Sequence, residues 1–171
     1  VELYGRVLDI NIGGFSGGHS GGDIDRSRVN ALRLFGRLFA ELYERSPFNL
    51  VSINSGSVSN AIPCELSARI AVSDEPFVTS QLEQLFDAVR AELPPEEKRG
   101  YLRVECTKAS KLTESRMLTF KSTSNLLSLL ALAPCGVTRR SCADPAFVEA
   151  SANIASAHVD ADGDIVITLM Y

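Results

Sequence analysis

Gly13-Gly14-Phe15-Ser16-Gly17-Gly18-His19-Ser20-Gly21-Gly22 is the stretch from which the rest of the chain is read. Six of the twelve glycines and one of the two histidines fall within it. In front of it, Leu8, Ile10 and Ile12 alternate with Asp9 and Asn11, the period of a strand with one buried face. Behind it, apolar residues return at helical spacing. A glycine-rich turn at such a junction lets the backbone take positive φ and come close to a ligand or a second chain. It also puts an imidazole and two hydroxyls on a loop, where binding chemistry concentrates. Composition alone fits a flexible connector with a solvated histidine equally well.

Working outward, residues 3–13 read as the first strand. Asp23 or Asp25 is placed to cap a helix. Its stripe of Val29, Leu32, Phe35, Leu38, Phe39 and Leu42 runs to a stop at Ser46-Pro47. Residues 48–54 give a second strand, 55–60 a polar loop, and Pro63 leads into a third strand over 66–72. Asp74-Glu75-Pro76 opens a second helix. Val78, Leu82, Leu85, Phe86, Val89 and Leu93 form its inward stripe, and Pro94-Pro95 with Gly100 ends it. Residues 101–106 alternate as a strand, and 108–114 read as a loop. A third helix runs from near Ser122 to Ala133, where Leu126, Leu127, Leu129, Leu130 and Leu132 predict burial on more than one side. Residues 147–159 and 164–171 form a hairpin around Asp162-Gly163. This order predicts an α+β fold: an antiparallel β-sheet with helices packed on one face, in two ferredoxin-like βαβ-type halves.

A chain of 171 residues with 45% hydrophobic and 22% charged residues is expected to build one packed domain. A net charge of −4 and a pI near 5.2 argue against a nucleic-acid surface. There is no apolar run of ~18 residues and no signal-peptide pattern, so the expected location is cytoplasmic, without a membrane partner. Cys64, Cys106, Cys135 and Cys142 form no C-x-x-C pair and read as small hydrophobes of a reducing compartment. Starting at Val1 and stopping at Tyr171 inside a predicted strand, the chain reads as a domain excised from a longer protein.

Several motifs carry little. Residues 14–18 and 18–22 both satisfy G-x-S-x-G, but a nucleophile elbow needs a later acid and histidine on a mainly parallel sheet. The only later histidine is His158, inside a predicted hairpin strand. No G-K-[ST] follows the glycines, which excludes a P-loop. Asp160-Ala161-Asp162-Gly163-Asp164 mimics the start of a calcium loop, yet Ile165 and Tyr171 stand where glycine and glutamate are required. No set of His, Asp and Glu has metal-ligand spacing. A second polar cluster, Ser55-Gly56-Ser57-Val58-Ser59-Asn60-Ala61-Ile62-Pro63, does stand out. Its asparagine amide offers a donor and an acceptor to a peptide carbonyl or carboxylate, and serves equally as an Asx-type turn.

Taken together, Gly17-Gly18-His19-Ser20-Gly21-Gly22-Asp23-Ile24, Asn30-Ala31 and Asn60-Ala61-Ile62-Pro63-Cys64-Glu65 resemble the bacterial aminoacyl-histidine dipeptidases, carnosinase-like members of a dinuclear-zinc metallopeptidase family. The resemblance continues through Ala133-Pro134-Cys135-Gly136-Val137 and Val148-Glu149-Ala150-Ser151-Ala152-Asn153, and so covers nearly the whole chain in order. It implies that residues 1–171 are a lid, or dimerisation, domain inserted into a catalytic domain that binds two zinc ions and carries the glutamate general base. No metal ligand is implied here. His19 would hydrogen-bond the scissile carbonyl of an Xaa-His dipeptide and stabilise the oxyanion formed on attack by zinc-activated hydroxide. Asn60 would hold the substrate and its terminal carboxylate, with Gly17 and Gly18 in the substrate-binding loop. The implied partners are the catalytic domain of the same polypeptide, the dipeptide and a second lid in a homodimer, and the domain alone would be inert. The family's arginine after the last lid strand falls beyond Tyr171. Cys64 stands where relatives often carry arginine, and Asp25 where histidine is common. The competing reading is a purely structural oligomerisation domain.

Overall fold

In a computed structural model of the chain, residues 6–108 and 117–171 are described. The loop expected over 108–114 therefore lies, past Lys108, outside the described residues. Strand β1 (Arg6–Gly13) buries Leu8, Ile10 and Ile12 under the helices and leaves Asp9 and Asn11 half-buried on the opposite face. After it come β2 (Gly18–His19), α1 (Ala31–Arg45), β3 (Asn49–Ser55), β4 (Ala61–Ile62), β5 (Leu66–Val72), α2 (Glu75–Glu92) and β6 (Tyr101–Lys108). Four of these strands pair antiparallel in the order β6-β1-β5-β3. With α1 and α2 they make a complete ferredoxin-like βαββαβ unit, and β6, which element order alone groups with the second half, closes the first.

The second part consists of α3 (Phe120–Leu132), β7 (Gly136–Arg140), β8 (Val148–Val159) and β9 (Ile165–Met170). It extends the same antiparallel sheet: β8 joins β3 at Asn54 and Ser55, while β9 and β7 pair with β8. The α+β class and the antiparallel sheet are as expected, and β7 is an addition. Its Gly-Val-Thr-Arg-Arg sequence has no apolar alternation, and two register shifts interrupt its pairing with β8. The hairpin turn between β8 and β9 is closed by Asp160, whose Oδ1 accepts from the amides of Asp162 and Asp164 (3.0 and 2.9 Å).

Helix α1 contacts both other helices and the sheet. Leu32, Phe35, Leu38, Phe39 and Leu42 are buried, and the Phe35 and Phe39 rings stack at 4.1 Å. Neither Asp23 nor Asp25 caps it. The cap is Asn30, whose side chain accepts from the Leu32 and Arg33 amides, because residues 20–27 turn back on themselves before the helix begins. Helix α2 starts as expected, with Asp74 accepting from the Phe77 amide. On its other flank, α1 meets α3. Gly36 lies against the backbone of Leu130 and Ala131, Arg33 Nη1 donates to the Ala133 carbonyl (2.8 Å), and Tyr43 donates to that of Phe120 (2.8 Å). Only one side of α3 is covered: Leu126, Leu127 and Leu130 are buried, but Leu129 and Leu132 are 44% and 81% exposed. The expectation of burial on several sides fails because α3 packs mainly on α1, with β3 beside it. No helix among the described residues is long and apolar enough to cross a membrane.

Candidate functional site

Past Gly13 the chain leaves the sheet and is pinned within three residues. Phe15 is buried, with its ring directly against Gly100, where any side chain would collide. The Ser16 amide donates to Glu97 Oε2 (3.2 Å), and Ser16 Oγ accepts from Arg99 Nη2 (3.3 Å). Gly17 (φ +62°) and Gly18 (φ +149°) then turn the chain through backbone conformations that other residues rarely adopt. A Cβ on Gly18 would stand 2.8 Å from Asp23 Cβ, so the turn is closely packed as well as left-handed.

That turn delivers β2 to β4. Gly18 pairs with Ile62 and His19 with Ala61, and the Ser20 amide donates to the Asn60 carbonyl (2.8 Å). Two polar clusters distant in sequence thus form one small ribbon, with His19 on β2 and Asn60 in the turn that leads into β4.

The direction of the His19 ring is fixed by its own loop. Nδ1 accepts from the amides of Gly21 (3.0 Å) and Gly22 (3.2 Å). A neutral imidazole that accepts at Nδ1 carries its proton at Nε2, so the exposed edge of this ring is a donor. Asp23 completes the turn: its Oδ2 accepts from the His19 amide (2.9 Å), its own amide donates to the His19 carbonyl (2.9 Å), and Arg26 pairs with Oδ1 (3.1 Å). The hydrogen bond from the His19 backbone holds the Asp23 carboxyl below the ordinary carboxylate value.

The Asn60 side chain is exposed and has no hydrogen-bond partner among the described residues. Its place is set from beneath. Asn153, 2% exposed, donates to the Ala61 carbonyl (2.8 Å) and accepts from Asn30 Nδ2 (3.0 Å). Asn30 Nδ2 also reaches the Ile154 carbonyl (2.8 Å) while its Oδ1 caps α1. A buried amide pair therefore connects the start of α1, the middle of β8 and the carbonyl next to Asn60. The sequence reading quoted both asparagines without giving either a task. An asparagine just before an apolar helical stripe, and another inside the small apolar run of β8, were the available signals. Nothing in sequence marks Glu97, a charged residue in a polar turn.

Beside β4 lies an open cleft of about 420 Å3, with Asn11, Asn54, Ser57, Cys64, Glu65 and Tyr101 in its walls. Neither His19 nor Asn60 lines it. Among the described residues no histidine hydrogen-bonds Ser16 or Ser20, and His158 sits on β8 opposite Asn54, so the nucleophile-elbow motif has no triad. No group of three His, Cys, Asp or Glu among the described residues comes together in a way that could hold a metal ion.

The peptidase dimerisation domain family matches residues 10–100, which span most of the βαββαβ unit. Cytosol non-specific dipeptidase of Escherichia coli (strain K12) is 33% identical over 151 residues, covering 87% of this chain and 30% of that protein. The crystal structure of aminoacylhistidine dipeptidase from Vibrio alginolyticus shares the fold, with a TM-score of 0.82 over 99% of this chain and 34% of that one, at 24% identity. This chain thus spans roughly a third of the length of these relatives. By its match over more than half its residues and its identity to the dipeptidase, the chain belongs to the peptidase dimerisation domain family.

Proposed function

We propose that this chain, over residues 1–171, is the lid of a zinc-dependent dipeptidase that hydrolyses Xaa-His dipeptides. In this reading His19 stabilises the oxyanion and Asn60 holds the substrate. The observation that supports it best is the state of the His19 ring. With Nδ1 engaged by Gly21 and Gly22, Nε2–H is left as an exposed, preset donor, one residue before the Ser20 amide that bonds the Asn60 carbonyl. A donor oriented before the reaction needs no reorganisation as negative charge develops on a carbonyl oxygen. The Asn60 amide, free of partners among the described residues, donates to a carboxylate and accepts from a peptide N–H. Gly17 and Gly18 serve by bringing backbone rather than side chains to the substrate.

Both groups are exposed on one ribbon, so another body has to complete the enclosure. In this reading that body is the catalytic domain of the same polypeptide, which would hold two zinc ions. Zinc there supplies the activated water, and the lid supplies hydrogen bonds and excludes solvent on closing. A homodimer is the assembly that the family's name suggests. The cytosol is the compartment in one relative's name, and four free cysteines suit it. Xaa-His preference is what the resemblance implies, and the broader range in the Escherichia coli name is the alternative outcome.

The test is His19→Ala in the full-length enzyme, assayed on Xaa-His and unrelated dipeptides. A fall in kcat/KM of about 100- to 1000-fold, with assembly and Tm unchanged, is expected. Unchanged turnover with disrupted assembly would instead support a purely structural association domain. The 171-residue chain by itself is expected to be inert with or without zinc.

A further inference from the structure

We propose that Glu97 is the positioning residue for His19: its carboxylate grips both ends of the loop that carries the imidazole. This rests on the reading of His19 given above. Glu97 lies in the turn after α2, and its side chain is 0% exposed. One oxygen, Oε2, accepts from the Ser16 amide (3.2 Å), and the other, Oε1, from Arg28 Nη1 (3.4 Å). Ser16 and Arg28 bracket the segment that contains Gly17, Gly18, His19 and Asp23.

Burying a carboxylate costs stability, and an ion pair recovers that cost only when its geometry and hydrogen bonding are good. Every side-chain hydrogen bond described for Glu97 goes to the His19 loop, and none goes to a core helix or to the main sheet. What the burial secures is therefore the register of that loop. The turn is itself made firm: the Glu97 amide donates to the Pro94 carbonyl (2.9 Å), the Gly100 amide to the Glu97 carbonyl (3.0 Å), and Pro94 and Pro95 restrict the approach. The neighbouring residues add to the grip through Arg99 on Ser16 Oγ and Gly100 under Phe15. Arg28 is bound into the arrangement as well. Its Nε is buried without a partner among the described residues, and Glu97 is the one carboxylate with which it pairs there.

The experiment is a cycle of Glu97→Ala and His19→Ala in the full-length enzyme, read by kcat and KM separately and by long-range 1H–15N spectra of 15N-histidine-labelled protein. Glu97→Ala is expected to lower kcat by about tenfold to 100-fold, the scale of a displacement near 1 Å, with KM changed far less. On the His19→Ala background it is expected to cost nothing further, because residues acting as a unit are not additive. The spectra of Glu97→Ala are expected to lose the signature of protonated Nε2 and accepting Nδ1 at His19, while Glu97→Gln, which keeps an acceptor for Ser16, retains it. An equal loss of kcat on both backgrounds would make Glu97 a general fold residue and overturn the proposal, as would an unchanged kcat with an unchanged His19 spectrum. Should Glu97→Ala fail to fold, Arg28→Gln, which frees one end of the loop and leaves the Ser16 bond, is read by the same criteria. If His19→Ala keeps full activity, the catalytic reading fails, and the spectra alone decide whether Glu97 orients the ring.

Discussion

His19 takes its direction from the backbone around it: Gly21 and Gly22 donate to Nδ1, and the Asp23 carboxylate receives the His19 amide. The bond to the Asp23 carboxylate is sensitive to acid. The His19 hydrogen bond depresses the Asp23 pKa below 3.8, with desolvation opposing it and Arg26, Arg28 and His19 adding to the fall. A carboxyl with a depressed folded pKa stabilises the loop above its unfolded pKa, and that contribution is lost as pH falls through the folded value. The Asp23 tie therefore holds at neutral pH and is lost in acid below the ordinary carboxylate range. An acid titration of the full-length protein, followed at the His19 amide proton, is expected to show this loss in the wild type and not in Asp23→Asn. The same transition in both would assign it to another carboxylate. His19 and Asn60 are legible as candidates through their polar, glycine-rich settings, but the task of Asp23 is not. An aspartate a few residues before an apolar stripe fits a helix cap, and only the turn geometry shows its carboxylate already spent on His19. The ring's tautomer was illegible for the same reason, since it depends on where two glycine amides point.

Among the elements, those with a long period were legible. β1, β5, α1 and α2 each repeat apolar residues often enough to fix both type and buried face. The two-residue strands β2 and β4 have no period at all and exist because their backbones pair. Helix α3 misleads because its leucines outnumber the positions its one contact face can cover. That face meets α1 at Gly36, where a Cβ would lie 2.6 Å from backbone atoms of Leu130 and Ala131. Gly36→Ala sets two effects against each other. Alanine gains about 1 kcal/mol in helix propensity, whereas overpacking a tight contact costs about 1–3 kcal/mol. A net loss of up to about 2 kcal/mol is expected from urea denaturation, and Gly36→Val, with less propensity to gain and more volume to place, is expected to lose more. A net gain for alanine would mean that α3 slides on α1 without cost.

On the scale of the whole molecule, the second part of the chain closes an edge that the βαββαβ unit leaves open. β3 is the outer strand of that unit, and its outward backbone groups are met by residues from beyond 108. The Leu118 amide donates to the Leu50 carbonyl (2.8 Å), the Leu50 amide donates to Thr123 Oγ1 (3.2 Å), and β8 pairs with Asn54 and Ser55. The same segment covers the flank of α1 that α2 does not reach. An unpaired strand edge beside a bare apolar helix flank is a template for association with another chain. The family's name speaks of dimerisation, yet here this face is occupied from within, so in the proposed homodimer a second copy would use another surface. Residues 6–108 expressed alone are therefore expected to associate, with a mass above the monomer in light scattering that grows with concentration. A fragment that stays monomeric and as resistant to urea as the 171-residue chain would show that α3 and β8 lie on the first unit without supporting it, and the covered edge would then have no part in deciding how these chains assemble.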